Sequence, residues 1–285
     1  MSAVTALLSG LIDYAGLYPP AGLDMRSSVR NYLSYSRGRN AMALGRFIVE
    51  VNRLEELHAV AGDLLRDMPL SVIATPSTDW NRFWRFQNNG FSIDAVEIKT
   101  DRPVEIEQIT RRLLPPGTIP YFEIPMLSPD PNTLAGIAAV KGRAKLRMGG
   151  VVAEAFPQTQ TVADALKALV ERRIPFKATA GLHHPIRSEH ALTYDPESPK
   201  GVMHGFLNLC CAAALLHFGG EAAEAKVLLE EENPNALRVD PREITWGAFC
   251  WSEEQLRTVR AEFFISFGSC SFTEPIEEME ALGWL

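Results

Sequence analysis

Cysteine is scarce in this chain, with four (Cys210, Cys211, Cys250 and Cys270) in 285 residues. A disulfide-stapled secreted fold is therefore excluded, and no recurring C-x2-C pair suggests a structural zinc site. Basic runs are missing too: 28 Lys and Arg face 35 Asp and Glu, for a formal net charge of −7. Binding of nucleic acid through a basic face is not expected. No apolar run approaches the ~18 uncharged residues that a membrane span needs. The opening MSAVTALLSGLIDYAGLYPP has no basic n-region, and Ser9, Gly10 and Asp13 interrupt it. A cytoplasmic protein with neither nucleic-acid nor membrane partners is the expectation. Internal repeats, low-complexity tracts, G-x-G-x-x-G, H-x-H and H-E-x-x-H are all missing.

What is present is alternation. Short apolar runs rich in β-branched and aromatic residues recur: LIDYA around Asp13, RFIVEV to Val51, LSVIAT to Thr75 and IDAVEIK to Lys99, then IPYFEIP to Pro125, AKLRMGG to Gly150, PFKATAG to Gly181 and FFISFG to Gly268. Between them, residues 53–66, 104–114, 162–172 and 274–282 space their apolar residues three and four apart, as helices lying on a sheet do. About eight such units, with strands apolar enough for burial on both faces, predict a (β/α)8 TIM barrel over residues 1–285. A Rossmann-like sheet is the weaker alternative, since no glycine fingerprint follows an early strand. Residues 182–260 form an insertion between the seventh and eighth strands, placed to cover the mouth. Its segment VMHGFLNLCCAAALLHF reads as a buried helix.

Charges stand inside or at the ends of these apolar strands: Asp13, Glu50, Glu97 with Lys99, Glu123, Lys145 with Arg147, and Lys177. Barrel enzymes place their chemistry at the C-terminal strand ends. A lone buried charge costs several kcal/mol, so so many acids and bases around one cavity imply a paired network, the setting that proton transfer or imine chemistry requires. For any single residue, a barrel-filling ion pair explains the charge equally well.

Three loops add candidates. PFKATAGLHHPIR brings Gly181, His183, His184 and Arg187 after the seventh strand, and His183 has the better parity to face the site. In FGSCSFTEP, Gly268, Ser269 and Ser271 precede a helix whose free amides favour an anion, and loops after strands 7 and 8 commonly hold phosphate. Against this, Glu274, Glu277 and Glu278 open that helix, and Ser271 to Glu274 reads equally as a capping box. Nothing in the sequence separates Cys270 from an inert thiol. After the first strand, DYAGLYPPAGLDM is a rigid loop that would hold Asp13, Tyr14 and Tyr18 at the mouth.

At AKLRMGG and FKATAGLHHPIR the chain resembles the sixth and seventh strands of class I aldolase barrels of the deoxyribose-phosphate aldolase type. The resemblance implies an imine-forming Lys145, Lys177 as the second lysine that favours its neutral amine, and Gly181 near a phosphate. It departs where that family's Thr-Ser-Thr-Gly run is Arg147, Met148, Gly149 and Gly150 here, and where its Gly-Gly is Ala180-Gly181.

The favoured function is an enzyme, an aldolase-like lyase or an isomerase, acting on a small anionic or phosphorylated carbonyl compound. Lys99, Lys145 or Lys177 would serve as imine former or base near Glu97 or Glu123, without a cofactor. An alternative is a divalent-metal barrel enzyme with Glu50, Glu97, Glu123 and His183 as ligands, against which the interleaved lysines weigh. A non-catalytic ligand-binding barrel is the third reading. A homo-oligomer is also open, because Trp80 and Trp84 suit either an interface patch or the barrel wall.

Overall fold

The computed structural model describes residues 2–91, 93–100 and 102–285. Seven strands come first: β1 (Ile12–Tyr14), β2 (Leu44–Glu50), β3 (Leu70–Ala74), β4 (Ile93–Lys99), β5 (Ile119–Glu123), β6 (Arg143–Arg147) and β7 (Phe176–Thr179). The insertion adds a hairpin, β8 (Ser188–Ala191) and β9 (Lys200–Met203), and an antiparallel sheet of β10 (Leu237–Val239), β11 (Glu243–Trp246) and β12 (Phe249–Ser252). β13 (Phe264–Ser269) then pairs in parallel with both β7 and β1, closing an eight-stranded parallel barrel in the order β1-β2-β3-β4-β5-β6-β7-β13. The chain is a (β/α)8 TIM barrel, as the alternation predicts.

The helices are α1 (Ala3–Leu8), α2 (Met25–Tyr35), α3 (Leu54–Ala61), α4 (Trp80–Asn88), α5 (Pro103–Gln108) and α6 (Pro131–Ala139), followed by α7 (Thr159–Glu171), α8 (Phe206–His217), α9 (Ala222–Leu229), α10 (Glu253–Glu262) and α11 (Thr273–Ala281). The helix expected over 53–66 breaks at Gly62, whose φ of +57° ends α3, and continues as a 3-10 turn. The one expected over 104–114 widens into a π turn at Ile109–Leu113. α2 and α6 were not anticipated, since each has only a thin apolar stripe (Met25, Val29 and Tyr32; Leu134 and Ile137). Their starts are nevertheless marked: Asp24 accepts a hydrogen bond from Ser27 N, and Asp130 accepts from Thr133 N. α8 is the buried helix foreseen in the insertion. Trp80 packs beside Phe83 against the barrel wall.

Strand alternation sorts the side chains. On β7, Phe176 and Ala178 face the helices and are fully buried, each apolar side chain contributing up to ~2 kcal/mol, while Lys177 between them points into the barrel. On β6, Ala144 and Leu146 pack outward and Lys145 inward. Beneath this charged layer, the Tyr121 ring lies 5.6 Å from Lys177 Nζ and its hydroxyl accepts from Arg143 at 2.7 Å. No helix among the described residues is long and apolar enough to cross a membrane.

Candidate active site

A cavity of about 670 Å3 opens at the C-terminal ends of the barrel strands. Its floor is an ion-pair chain that crosses the barrel. Asp13 Oδ2 accepts from Lys177 Nζ at 2.6 Å and from the Ser266 hydroxyl at 2.8 Å, while Asp13 Oδ1 accepts from Arg46 N at 2.8 Å. Lys177 donates also to Glu97 Oε1 at 2.6 Å, an oxygen that Ser71 reaches at 2.7 Å. The other Glu97 oxygen faces Lys145 Nζ at 2.9 Å, and Lys145 lies 3.0 Å from Glu123, which in turn pairs with Arg147 at 3.2 Å.

Burial divides this chain into a structural half and an accessible half. Lys177, Asp13 and Glu97 are at most 1% exposed, and neither Lys177 nor Asp13 reaches the cavity wall. Lys145, Glu97 and Glu123 do, together with Arg147 and Lys99 at the rim. Burial opposes the charges of Glu97, Glu123 and Lys177, but their neighbours decide the outcome. Lys145 and Lys177 hold Glu97 well below the usual carboxylate range, Lys145 and Arg147 lower Glu123, and Asp13 and Glu97 hold the Lys177 ammonium well above its ordinary value. Lys177 is thus a fixed cation. Gly45 is required beside the network, because a Cβ there would lie 2.3 Å from Asp13 Oδ1.

The neighbouring wall comes from the loops after β7 and β13. His183 Nδ1 lies 2.7 Å from Glu274 and its Nε2 lies 3.8 Å from Cys270 Sγ, while the Tyr194 hydroxyl is 3.8 Å from the same sulfur. His184 pairs with Glu278 at 2.6 Å and stacks on His190 with ring centroids 3.3 Å apart. Burial works against the His183 cation, yet Cys270 and Glu274 raise it to about 9. Both histidines line the cavity although neighbours in a strand point apart. The strand has ended by then: Ala180 and Gly181 both take left-handed φ values, 63° and 68°, and break the alternation.

Of the residues expected at the site, Lys99, Glu97, Glu123, Lys145, Arg147, Glu50, Gly181, His183, His184 and Gly268 line the one cavity, with Lys177 and Asp13 directly below. Arg187 lies elsewhere, pairing with Glu232 while its backbone N donates to Asn208. Ser271 caps α11 by accepting from Glu274 N at 3.2 Å, and Ser269 is buried. The Phe156 ring packs against Gly149 and Gly181, where added Cβ atoms would meet it at 2.4 and 2.6 Å. Tyr14 belongs to an aromatic cluster with Tyr32, Tyr35 and Phe47, whereas Tyr18 faces the cavity. Among the described residues no three His, Cys, Asp or Glu side chains are grouped to hold a metal ion. Glu97 and Glu123 both direct oxygens at lysine.

Sequence reading missed Ser71, Ser266 and Tyr194. The two serines carry a usable signal, a single hydroxyl at inward parity inside LSVIA and FISFG. Tyr194 carries none, because a hairpin loop of the insertion delivers it. No protein-family model matches the chain, and no curated protein is significantly similar to it in sequence.

Proposed function

We propose that the chain is an aldolase-like lyase that acts on a small carbonyl compound through an imine on Lys145. One arrangement carries this reading: Lys145 Nζ stands at the cavity floor between Glu97 and Glu123, 2.9 and 3.0 Å away, with the cation of Lys177 buried on the adjacent strand. An ammonium must give up a proton before it attacks a carbonyl, and either carboxylate is within reach to take that proton. The same carboxylate returns it when the carbinolamine expels water.

Charge balance supports the reading. While Lys145 is a neutral amine, Glu97 still has Lys177, so no buried carboxylate is stranded. The protonated imine then restores the positive charge of the ammonium, and the preformed pair of carboxylates stabilises it. That iminium draws electrons from the Cα–Cβ bond of a β-hydroxy carbonyl substrate, which breaks as the β-hydroxyl gives its proton to a carboxylate, leaving an enamine on Lys145 and releasing an aldehyde. An anionic group on the substrate fits the side of the mouth where Lys99 and Arg147 stand. The α11 side suits it less, because Glu274 and Glu278 already occupy the two histidines and Phe156 covers Gly181. A metal-dependent reading has less support, since its ligands Glu97 and Glu123 are engaged by lysines.

The test is borohydride trapping with small aldehydes, 2-keto acids and sugar phosphates, followed by peptide mapping. An irreversible adduct on Lys145 is expected. An adduct on Lys177 or Lys99 instead, or none with any compound, would overturn the assignment.

A further inference from the structure

The cavity that Lys145 lines also contains a group that imine chemistry does not use. Cys270 follows β13 directly, and its Sγ lies 3.8 Å from His183 Nε2, whose other nitrogen is fixed by Glu274 at 2.7 Å. Thiol, imidazole and carboxylate are thus in the order that nucleophile, base and orienting group take in thiol attack. Tyr194 places its hydroxyl 3.8 Å from the sulfur on another side. All four side chains line the cavity, although Cys270 and His183 are buried from bulk solvent.

The other cysteines differ. Cys210 and Cys211 sit inside α8, where burial pushes both thiols up, Cys210 to about 12, and Cys250 is exposed on β12.

We propose that Cys270 is a second nucleophile of the cavity, activated by His183 and oriented through Glu274, and that it adds reversibly to an aldehyde. In the step, the sulfur pair forms a C–S bond to the carbonyl carbon, and the thiol proton passes to His183 Nε2 as that nitrogen gives up its own. The C=O π pair moves to oxygen, which takes the proton from His183. The product is a hemithioacetal; no oxidant or leaving group is involved, and reversal frees the aldehyde. Cys270 and Glu274 raise His183 to about 9 despite its burial, so at neutral pH it is the imidazolium and already holds the proton that the oxygen takes. The inference stands on these contacts and does not need Lys145 to form an imine. With both nucleophiles active, one cavity holds the two halves of an aldol bond, a carbonyl compound at Lys145 and an aldehyde at Cys270.

The full-length protein is alkylated with iodoacetamide near neutral pH, with and without propanal, and each cysteine is quantified by peptide mass spectrometry. Cys270 should react about tenfold or more faster in the wild type than in His183→Asn. Propanal should slow alkylation at Cys270 and leave Cys250 unaffected, and it should do so equally in Lys145→Arg, which keeps the cation and cannot form an imine. Glu274→Gln supplies the comparison if His183→Asn does not fold, with a smaller loss in the same direction. Equal alkylation of Cys270 in wild type and variants, or no protection by propanal in Lys145→Arg, would overturn the proposal. Protection there without any borohydride adduct on the wild type would sink the imine assignment and leave Cys270 standing.

Discussion

Lys177 and Asp13 are separated by 164 positions in the chain, and their charged atoms lie 2.6 Å apart inside the barrel. Contact requires the barrel to be closed, since β13 lies between their strands and contributes Ser266 to the same carboxylate. Lys177→Met should therefore act on the whole fold. It leaves Asp13 and Glu97 buried without their shared cation, which destabilises by about 3–5 kcal/mol. Equilibrium urea unfolding reads this directly, and adding Asp13→Asn should recover part of the loss. Wild-type stability in the single variant would show that Lys177 does not hold the network.

Glu123 and Glu97 touch the same lysine but should separate chemistry from stability. Glu123 lies at the mouth and shares its burden with Arg147, so Glu123→Gln should keep the fold and slow imine trapping at Lys145 by about 100-fold. Glu97 serves two buried lysines, and Glu97→Gln should lower the melting temperature as well. Trapping rates measured beside melting curves decide the matter. A Glu123→Gln variant that traps at the wild-type rate would remove that carboxylate from the proton path.

How far the sequence foretold this site follows from what each signal depends on. Asp13, Glu97, Lys145 and Lys177 were legible because a charge within an apolar strand has few physical explanations, and strand periodicity fixes which way it points. Which lysine is accessible was not legible, because that depends on the groups that surround each side chain, and those come from strands far apart in the sequence. Lys145 and Lys177 are direct register partners, yet one reaches the cavity and the other does not. Ser271 and Arg187 looked like anion binders from their loops, but local capping and a contact with Glu232 claim them. The Cys270 to His183 contact joins loops 87 positions apart, and no local pattern encodes it.

Two histidines should shape the pH dependence of stability from opposite sides. For His183, burial opposes the cation but Cys270 and Glu274 raise it to about 9, above an ordinary value near 6.5. Its contribution is full below about pH 6.5 and is lost as pH rises through about 9, to the extent of ~3 kcal/mol. His204 runs the other way: burial lowers it to about 4, and its Nε2 donates to the Pro157 carbonyl at 2.8 Å. Its contribution is full above about pH 6.5 and is lost as pH falls through about 4. Melting temperatures across pH should show His183→Asn flattening the alkaline limb and His204→Gln the acid limb. Unchanged limbs in both variants would assign the pH dependence to other groups.

Arg260 shows that a buried charge can serve the fold through backbone carbonyls, with no carboxylate in direct contact among the described residues. Its guanidinium, donated by α10, reaches the backbone carbonyls of Leu7 at 2.7 Å and Ser9 at 3.0 Å and also bonds those of Phe264 and Ile265. Those carbonyls lie around the end of α1 and the start of β13, so one side chain ties the N-terminal helix to the closing strand. Burial lowers Arg260 to about 10, which still leaves it charged at neutral pH. Lysine cannot replace it, because a single ammonium does not span four carbonyls in a fork. Arg260→Met keeps most of the volume but leaves those carbonyls without a donor, at about 1–3 kcal/mol for each one that stays dry. Arg260→Lys should recover only a minor part. Hydrogen exchange should localise the effect, with protection lost first in α1 and at the β1–β13 seam. Global unfolding without that local signature would mean that Arg260 supports the core as a whole and is no clasp between the chain's two ends.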